Sequence, residues 1–443
     1  MASRTRKTAA HGCRGTIFAA ILAVTSHAAA QPPTLDLEQI IALAIERNER
    51  SLQAEVRHDV AAARLGRARS FFLPDFLATG SYTRRAYETV RTVDGDPVTI
   101  QSRDALFGSV SFSLPIFDAR SFPLYVQAAR EEDAARLQAT EDKRRIAFEA
   151  ADAFLVAIGL EQVQAAAERR LEYARGSLQD ARARFDAGLV SSNDVSRAEL
   201  EVASAERVLA EAQAGVQTAY LQLGNLLDVE VAPPLAPPAA LLDSASQTAP
   251  DPEPAIASAQ QRRLDVAASR ERPAALRSSA REPLFRTIPS LSFDGLARFT
   301  NEQGFSGRDH DWSLGLDVNW ELYDGGERYS ERDERNALAR IAELDTQALL
   351  REVDLEVRRA RVALERSQAT TRAATAAVEA AQRNAAETTE LYRQGLARAL
   401  EVADASVSLF ESEVALVGER FGLGRAFLGW RASLGLDPLG REP

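Results

Sequence analysis

Past residue 30 the sequence holds two histidines, His58 and His310, and neither cysteine nor methionine, since Cys13 and Met1 are the only ones in 443 residues. Zinc and copper sites need imidazole, thiolate or thioether groups at close spacing. Two widely separated histidines do not supply one, and a methionine-lined copper route is excluded. Thiol chemistry and disulfides are excluded on the same count past residue 30. The 64 Asp and Glu residues could always be paired into an acid–base site, but none sits in a recognisable one. No phosphate-binding glycine loop is present. These residues point away from an enzyme, a resident metal and a cofactor. A formal net charge of −11 also makes a nucleic-acid partner a poor fit.

One set of residue types does recur at fixed spacing. Phe185-Asp-Ala-Gly188, Asp194-Val195, Ala219-Tyr-Leu221 and Leu227 return 207 positions later as Tyr392-Arg-Gln-Gly395, Glu401-Val402, Ala426-Phe-Leu428 and Leu434. Asp118 precedes Gly188 by 70 residues, and Asp324 precedes Gly395 by 71. The chain reads as an internal duplication.

The elements that must position these marks follow from the stretches between them. No proline occurs from Leu124 to Gly188 or from Gly326 to Gly395, and both stretches are alanine-rich and charged. Each predicts a helix of about 69 residues, roughly 100 Å long. A glycine turn at Gly188 or Gly395 reverses the chain, because glycine adopts the left-handed cap cheaply. A return helix about half as long follows, Ser192–Leu227 in the first copy. Small residues let such helices approach closely. Upstream, Leu37, Ile40, Ile41, Ala44 and Ile45 give an amphipathic helix over Leu35–Asn48. A second helix, Ser51–Leu73, stops at Pro74.

Before each long helix the period changes to two. Phe76, Ala78, Gly80 and Tyr82 share one face, although Leu77 weakens the contrast. Leu106, Gly108, Val110, Phe112 and Leu114 alternate with Ser109, Ser111 and Ser113. Leu291, Phe293, Gly295, Ala297 and Phe299 do the same in the second half. The clearest strand is Trp312, Leu314, Leu316, Val318, Trp320 and Leu322, alternating with Ser313, Gly315, Asp317, Asn319 and Glu321. Between the first two strands, the polar stretch Thr83–Asp104 holds a turn signal, Asp94-Gly95-Asp96-Pro97. Gly304 and Gly307 mark the corresponding loop in the second half.

Strands of about ten residues cross an outer-membrane hydrocarbon layer at a tilt of roughly 40°. Trp312 and Trp320, with Tyr323, fit an aromatic girdle at its edges. A soluble sandwich with one wet face is the competing reading. Four strands cannot close a membrane barrel, and open edges cannot face lipid. The strands must then be shared between subunits, giving eight in a dimer or twelve in a trimer. A polar lumen lined by Ser109, Ser111, Asp317 and Asn319 suits the wider barrel.

The first thirty residues read as a cleaved secretory signal peptide. Arg4, Arg6, Lys7 and Arg14 precede the apolar run Gly15–Val24, and Ala28-Ala29-Ala30 is a small-residue cleavage site. Its removal takes away four positive charges and no acid. Cys13 lies ahead of the apolar run, so no lipid anchor is expected. No later segment has eighteen consecutive apolar residues. The expected organisation is a leader at 1–30, first-repeat helices at 31–74 and 119–230, and strand pairs at 75–118 and 290–324. A Pro/Ala-rich linker at 231–254 should be extended and surface-lying. Second-repeat helices at 255–289 and 325–437 and a tail at 438–443 complete it. Three prolines in Arg270–Pro289 should shorten or break the helix that enters the second strand pair.

Several of these features together resemble the TolC-like outer membrane efflux protein family. They are the duplication, the opening Leu35-Asp-Leu-Glu-Gln-Ile-Ile-Ala-Leu-Ala-Ile-Glu-Arg-Asn48, and the strand exits Leu114-Pro-Ile-Phe-Asp118 and Trp320-Glu-Leu-Tyr-Asp-Gly-Gly326. The tip motifs Arg184-Phe-Asp-Ala-Gly188 and Leu391-Tyr-Arg-Gln-Gly395 complete the set. The resemblance covers essentially all of Gln31–Asp437. It implies a mixed α and β membrane protein: a homotrimer with a 12-stranded outer-membrane β-barrel, continued by an α-helical tunnel across the periplasm. It implies a passive duct with no cofactor and no metal site, set in outer-membrane lipid. Its partners would be a periplasmic membrane-fusion adaptor and an inner-membrane transporter. The glycine turns would form the tip that docks the adaptor, with Gly188, Leu189, Val190, Gly395 and Leu396 at the contact. The family closes its tip with carboxylates six and nine residues after the second glycine, here Glu401 and Asp404. Three copies would set six like charges near one axis, favouring cations. Family members pin the closed tip with tyrosine and arginine contacts to a first-repeat aspartate. Tyr392 and Asp194 match, but the expected arginine position is Ala397, with Arg398 one place later. The implied cargo is small molecules. Type I protein secretion and heavy-metal efflux use ducts of the same build, and a periplasmic coiled-coil protein without a pore is the rival of a different class.

Overall fold

The computed structural model describes residues 35–93, 95–248, 250–303 and 308–442. The expected leader at 1–30, Asp94 of the turn signal, and Gly304 and Gly307 lie outside the described residues.

The chain opens with α1, Leu37–Arg47, and α2, Glu49–Ser70. Asp36 caps α1 by accepting from the Gln39 amide at 2.8 Å, while the Gln39 side chain accepts from the Asp36 amide. Ile40, Ile41 and Ala44 form its buried face. Four strands follow: β1 (Asp75–Arg84), β2 (Thr89–Val93), β3 (Asp96–Gln101) and β4 (Asp104–Phe117). The first long helix, α3, runs 66 residues from Ser121 to Asp186, and α4 returns over 36 residues, Ser192–Leu227. Short helices α5 (Ala239–Ala245), α6 (Pro252–Arg262), α7 (Leu264–Ser279) and α8 (Glu282–Phe285) lead to β5 (Ser290–Thr300) and β6 (His310–Asn319). The second long helix, α9, runs 67 residues from Glu327 to Arg393, and α10 returns over 35, Ala399–Ser433.

The main sheet is antiparallel, in the order β1-β4-β5-β6. Its register aligns the apolar positions of all four strands. Phe76 opposes Phe112, Phe112 opposes Gly295, and Gly295 opposes Leu314. In the next row Ala78, Val110, Ala297 and Trp312 stand side by side. Directly opposed residues share a face. One face of the sheet is therefore continuously apolar, and it is exposed on β6, where Trp312, Leu314, Leu316 and Val318 all face outward. The other face carries Thr79, Ser109, Arg298 and Asp311 in one row, and Ser292 beside Asp317 in another. Among the described residues, β1 and β6 each have one edge with no strand beside it.

Three local expectations differ. The polar stretch between β1 and β4 is a second hairpin, β2–β3, around Gly95 at φ +96°. Strand β6 stops at Asn319 rather than Leu322. Its last partner is Ser290, and the residue before that is Pro289, which has no N–H to continue the ladder. Trp320 and Tyr323 thus lie just beyond the strand, and the Trp320 indole donates to the Thr287 carbonyl at 2.9 Å. Finally, the 231–254 stretch carries α5 and buries Val231, Leu235, Leu241, Leu242 and Ala245. Its prolines bound an apolar Leu-Leu segment that has core to cover, so hydrophobic burial overrides an extended surface course. Between 255 and 289 the chain is broken into three pieces, the first beginning at Pro252 and the second holding Pro273 inside a helix.

The core lies partway along the long helices. Phe154 and Leu155 of α3, Leu223 and Leu227 of α4, Ile40 of α1 and Phe421 of α10 form one cluster. Val266 of α7, Val353, Val357 and Leu364 of α9 and Trp430 of α10 form a second. A buried ion pair seals this level. Arg144 donates to both Glu141 carboxylate oxygens and to the Ala432 and Leu436 carbonyls at the end of α10. No described helix is long and apolar enough to cross a membrane.

The strand-to-helix corners use the repeated aspartates. Asp118 accepts from the Arg120 amide and guanidinium. Asp324 accepts from the amides of Gly326 and Arg328 and from the Arg328 guanidinium. At Asp118 burial pushes the carboxyl pKa up, but the hydrogen bonds from Arg120 outweigh it and hold it below the usual value.

Candidate functional site

The two glycine turns share their main hydrogen bonds, and the second adds one from the Ala397 amide to the Leu391 carbonyl at 3.3 Å. Gly188 has φ +73° and Gly395 +79°. The Leu189 amide donates back to the Arg184 carbonyl at 2.9 Å, and the Leu396 amide to the Leu391 carbonyl at 2.8 Å. The amides of Gly188 and Gly395 donate to Phe185 and Tyr392. This pattern satisfies the last free carbonyls of each long helix and forces a left-handed residue at the turn. It also turns the next side chain outward: Leu189 is 75% exposed and Leu396 73%, while Val190 is half-buried. Each tip thus presents one exposed leucine to its surroundings.

The repeated carboxylates sit in the first turn of each return helix. Asp194 accepts from the Ser191 amide and hydroxyl, both at 3.1 Å. Glu401 accepts from the Arg398 amide at 3.1 Å. Each is the acidic third residue of a capping box, and a carboxylate there is favoured by the helix dipole. In the second box only the Glu401 half is made, because the Arg398 guanidinium has no acceptor to return. Asp404 lies three residues on, exposed like Glu401 and on the same side of α10. Arg398 is also exposed.

Tyr392 is buried, and its partner is a residue that the sequence reading left without a role. Arg184, four residues before Gly188, sends its two guanidinium nitrogens to the Tyr392 and Arg393 carbonyls at 2.8 and 2.9 Å. The same guanidinium lies 4.4 Å from the centre of the Tyr392 ring. Burial pushes the Tyr392 phenol pKa up, the Arg184 charge opposes this, and Asp194 and Asp180 add to the rise. Among the described residues no hydrogen bond joins Tyr392 to Asp194. The repeat gave no distinct signal for Arg184: its counterpart 207 positions on is Leu391, but Asp186 and Arg393, and Ala187 and Gln394, differ as well.

Above the tip a cleft of about 730 Å³ separates the first hairpin from the second. Gly176, Ser177, Ala386 and Ala403 are among its small lining residues. Its far end is closed by an Arg169–Glu413 ion pair at 2.8 Å and by Arg170 packed 5.1 Å over the Phe410 ring. Among the described residues, no three metal-ligating side chains converge.

A two-faced sheet carried on paired helices about 100 Å long, reversed at glycine turns, is the build of an outer-membrane efflux channel protein. The chain belongs to the outer membrane efflux protein family, whose sequence profile matches residues 40–228 and 255–435. Over 420 residues it is 24% identical to the outer membrane protein TolC of Vibrio cholerae, covering 90% of each chain. Its fold is similar to that of VceC from Vibrio cholerae, with a TM-score of 0.71 and 19% identity over 92% of this chain and 97% of that one. It is also similar to the CmeC outer membrane channel of Campylobacter jejuni, with a TM-score of 0.73 and 17% identity over 90% and 85% of the two chains.

Proposed function

We propose that three copies of this chain form the exit duct of a tripartite efflux pump, carrying small molecules across the outer membrane. The observation that carries this reading is the open four-stranded sheet with one continuous apolar face. An apolar face of this kind seeks lipid, yet lipid cannot accept the unpaired edges of β1 and β6. Edge-to-edge pairing of three copies gives a closed twelve-stranded barrel with the Ser- and Asp-bearing face inside. Trp312 and Trp320 are eight residues apart, about 26 Å along an extended chain and about 20 Å in height at a tilt of roughly 40°, which fits within the ~25 Å apolar band of a barrel. Each subunit then contributes two strand pairs and two helical hairpins from its duplicated halves. A leader over residues 1–30 directs export, and the long helices span the periplasm.

At the tip, Leu189, Val190 and Leu396 dock a membrane-fusion adaptor, and Glu401 and Asp404 line the constriction. An inner-membrane transporter supplies the cargo and the energy. Both carboxylates are exposed, which suits this role, although Glu401 also caps its helix.

The test is to purify the protein from outer membranes, weigh it in detergent and record it in planar bilayers. A trimer that conducts, and whose conductance is blocked by multivalent cations at the periplasmic mouth, is expected. No trimer and no conductance under any condition would sink the duct and favour a structural coiled-coil protein. Asp404→Ala, alone and with Glu401→Ala, should weaken the cation block; unchanged block would place the constriction elsewhere. The transporter that copurifies separates small-molecule efflux from protein secretion and metal efflux.

A further inference from the structure

The two hairpins, α3–α4 and α9–α10, run side by side to the tip, and what joins them changes along the way. The buried clusters that bring α10 against α3 and α4 reach no nearer the tip than Val417 and Phe421. Closer to the tip the apolar cluster Leu171, Ala174 and Ala205 lies within the first hairpin alone. Arg169–Glu413 and Arg170–Phe410 tie the hairpins at that level. Then the cleft intervenes. Below it, among the described residues, the hydrogen bonds that join the two hairpins all come from Arg184.

We infer that Arg184 is the clasp that holds the two hairpin tips together, and that its release, rather than the freeing of the Tyr392 hydroxyl or of Asp194, lets the tip widen. The chemistry suits a clasp. A planar guanidinium can grip two consecutive carbonyls with one fork, which a lysine cannot. Those carbonyls belong to the last turn of α9, where the helix dipole favours a cation. The Tyr392 ring supplies the third contact through its face, not its hydroxyl. Asp194, the partner expected for Tyr392, is engaged with Ser191. The Arg169–Glu413 level and the cleft below it let the lower ends of the hairpins part without disturbing the core. The coupling of this clasp to conduction rests on the duct reading; the clasp itself does not.

The experiment measures both. Spin labels on Ala187→Cys and Gln394→Cys, two exposed positions beside the turn glycines, report the distance between the tips in the full-length detergent-solubilised protein. Arg184→Ala should lengthen and broaden that distance, and Arg184→Lys should fall between it and the parent. Tyr392→Phe keeps the ring and both carbonyls and should leave the distance unchanged. In bilayers, Arg184→Ala should raise single-channel conductance several-fold and Tyr392→Phe should not. An unchanged distance in both Arg184 variants, or equal widening in Tyr392→Phe, overturns the clasp. A lengthened distance in Arg184→Ala with no conductance from any protein, the parent included, keeps the clasp and defeats the duct.

Discussion

Replacing Gly395 by alanine isolates the backbone requirement of the tip from everything else. An added Cβ would meet nothing within 4 Å, so no steric clash enters. What remains is the left-handed φ of +79°, which costs an L-residue about 1–2 kcal/mol. Alanine also narrows the opened state of the turn, which offsets up to about 1 kcal/mol. A net loss of about 1 kcal/mol corresponds to roughly a fivefold larger population of the opened turn. The reporter is the Leu396 amide, held at 2.8 Å by the Leu391 carbonyl. Its hydrogen exchange should quicken about fivefold, read on peptides spanning the turn by mass spectrometry. Gly418 is the control. It lies within α10, again with nothing within 4 Å of a new Cβ. There the same substitution should gain about 0.8–1 kcal/mol of helix propensity and slow local exchange. If both substitutions shift exchange in the same direction, or if Leu396 does not respond, the strain argument for the turn is wrong.

Other expectations concern the body of the helices. Phe154 is fully buried in the cluster joining α1, α3, α4 and α10, and Phe154→Ala should lose about 3–5 kcal/mol in thermal melts of the detergent-solubilised protein. Arg144→Leu leaves the buried Glu141 carboxylate only the longer ion pair to Arg145 at 3.6 Å and should lose about 3 kcal/mol, whereas Glu141→Gln with Arg144→Leu should lose less. Asp265 is held below the usual carboxylate pKa because hydrogen bonds and charge from Arg263 outweigh its burial. A depressed native pKa means stability that is present above the unfolded value, about 3.9, and lost as pH falls through the native one. Asp265→Asn should therefore flatten the loss of melting temperature below about pH 4; an unchanged acid limb would rule out that contribution.

The sequence exposed the parts of this fold that depend on period and on glycine. The four main strands fall within a few residues of the alternating runs, because one apolar and one polar face leave only one register. Both long helices end where a left-handed residue is required. The hairpin β2–β3 was harder to see. Thr89-Val-Arg-Thr-Val93 spaces its valines three apart and so does not alternate, and its partner contains Pro97 and polar residues, so no clear apolar face announces it. The helical role of Asp194 was written in Ser191-Ser-Asn-Asp194, a capping-box spacing that the repeat overshadowed. Arg184 could not be paired from sequence, because its acceptors are backbone carbonyls 208 and 209 residues away. Carbonyls leave no side-chain signature. The mismatch with Leu391 did not mark the position either, since the copies also differ at Asp186 and Arg393 and at Ala187 and Gln394.

The two long helices differ by a single residue in length, 66 against 67. This near-equality restricts how such a chain can change size. One residue inserted in α3 would advance everything below it by about 1.5 Å and rotate it by about 100°. Arg184 would then miss the end of α9, and the two turns would no longer lie level. Insertions that survive should come in matched pairs, one in each hairpin, and in steps near seven residues, which return a helix to within about 20° of its starting face. The return helices α4 and α10 must change with them. Length is thus inherited as a property shared by four separate stretches of sequence, and drift in any one of them is checked by the other three.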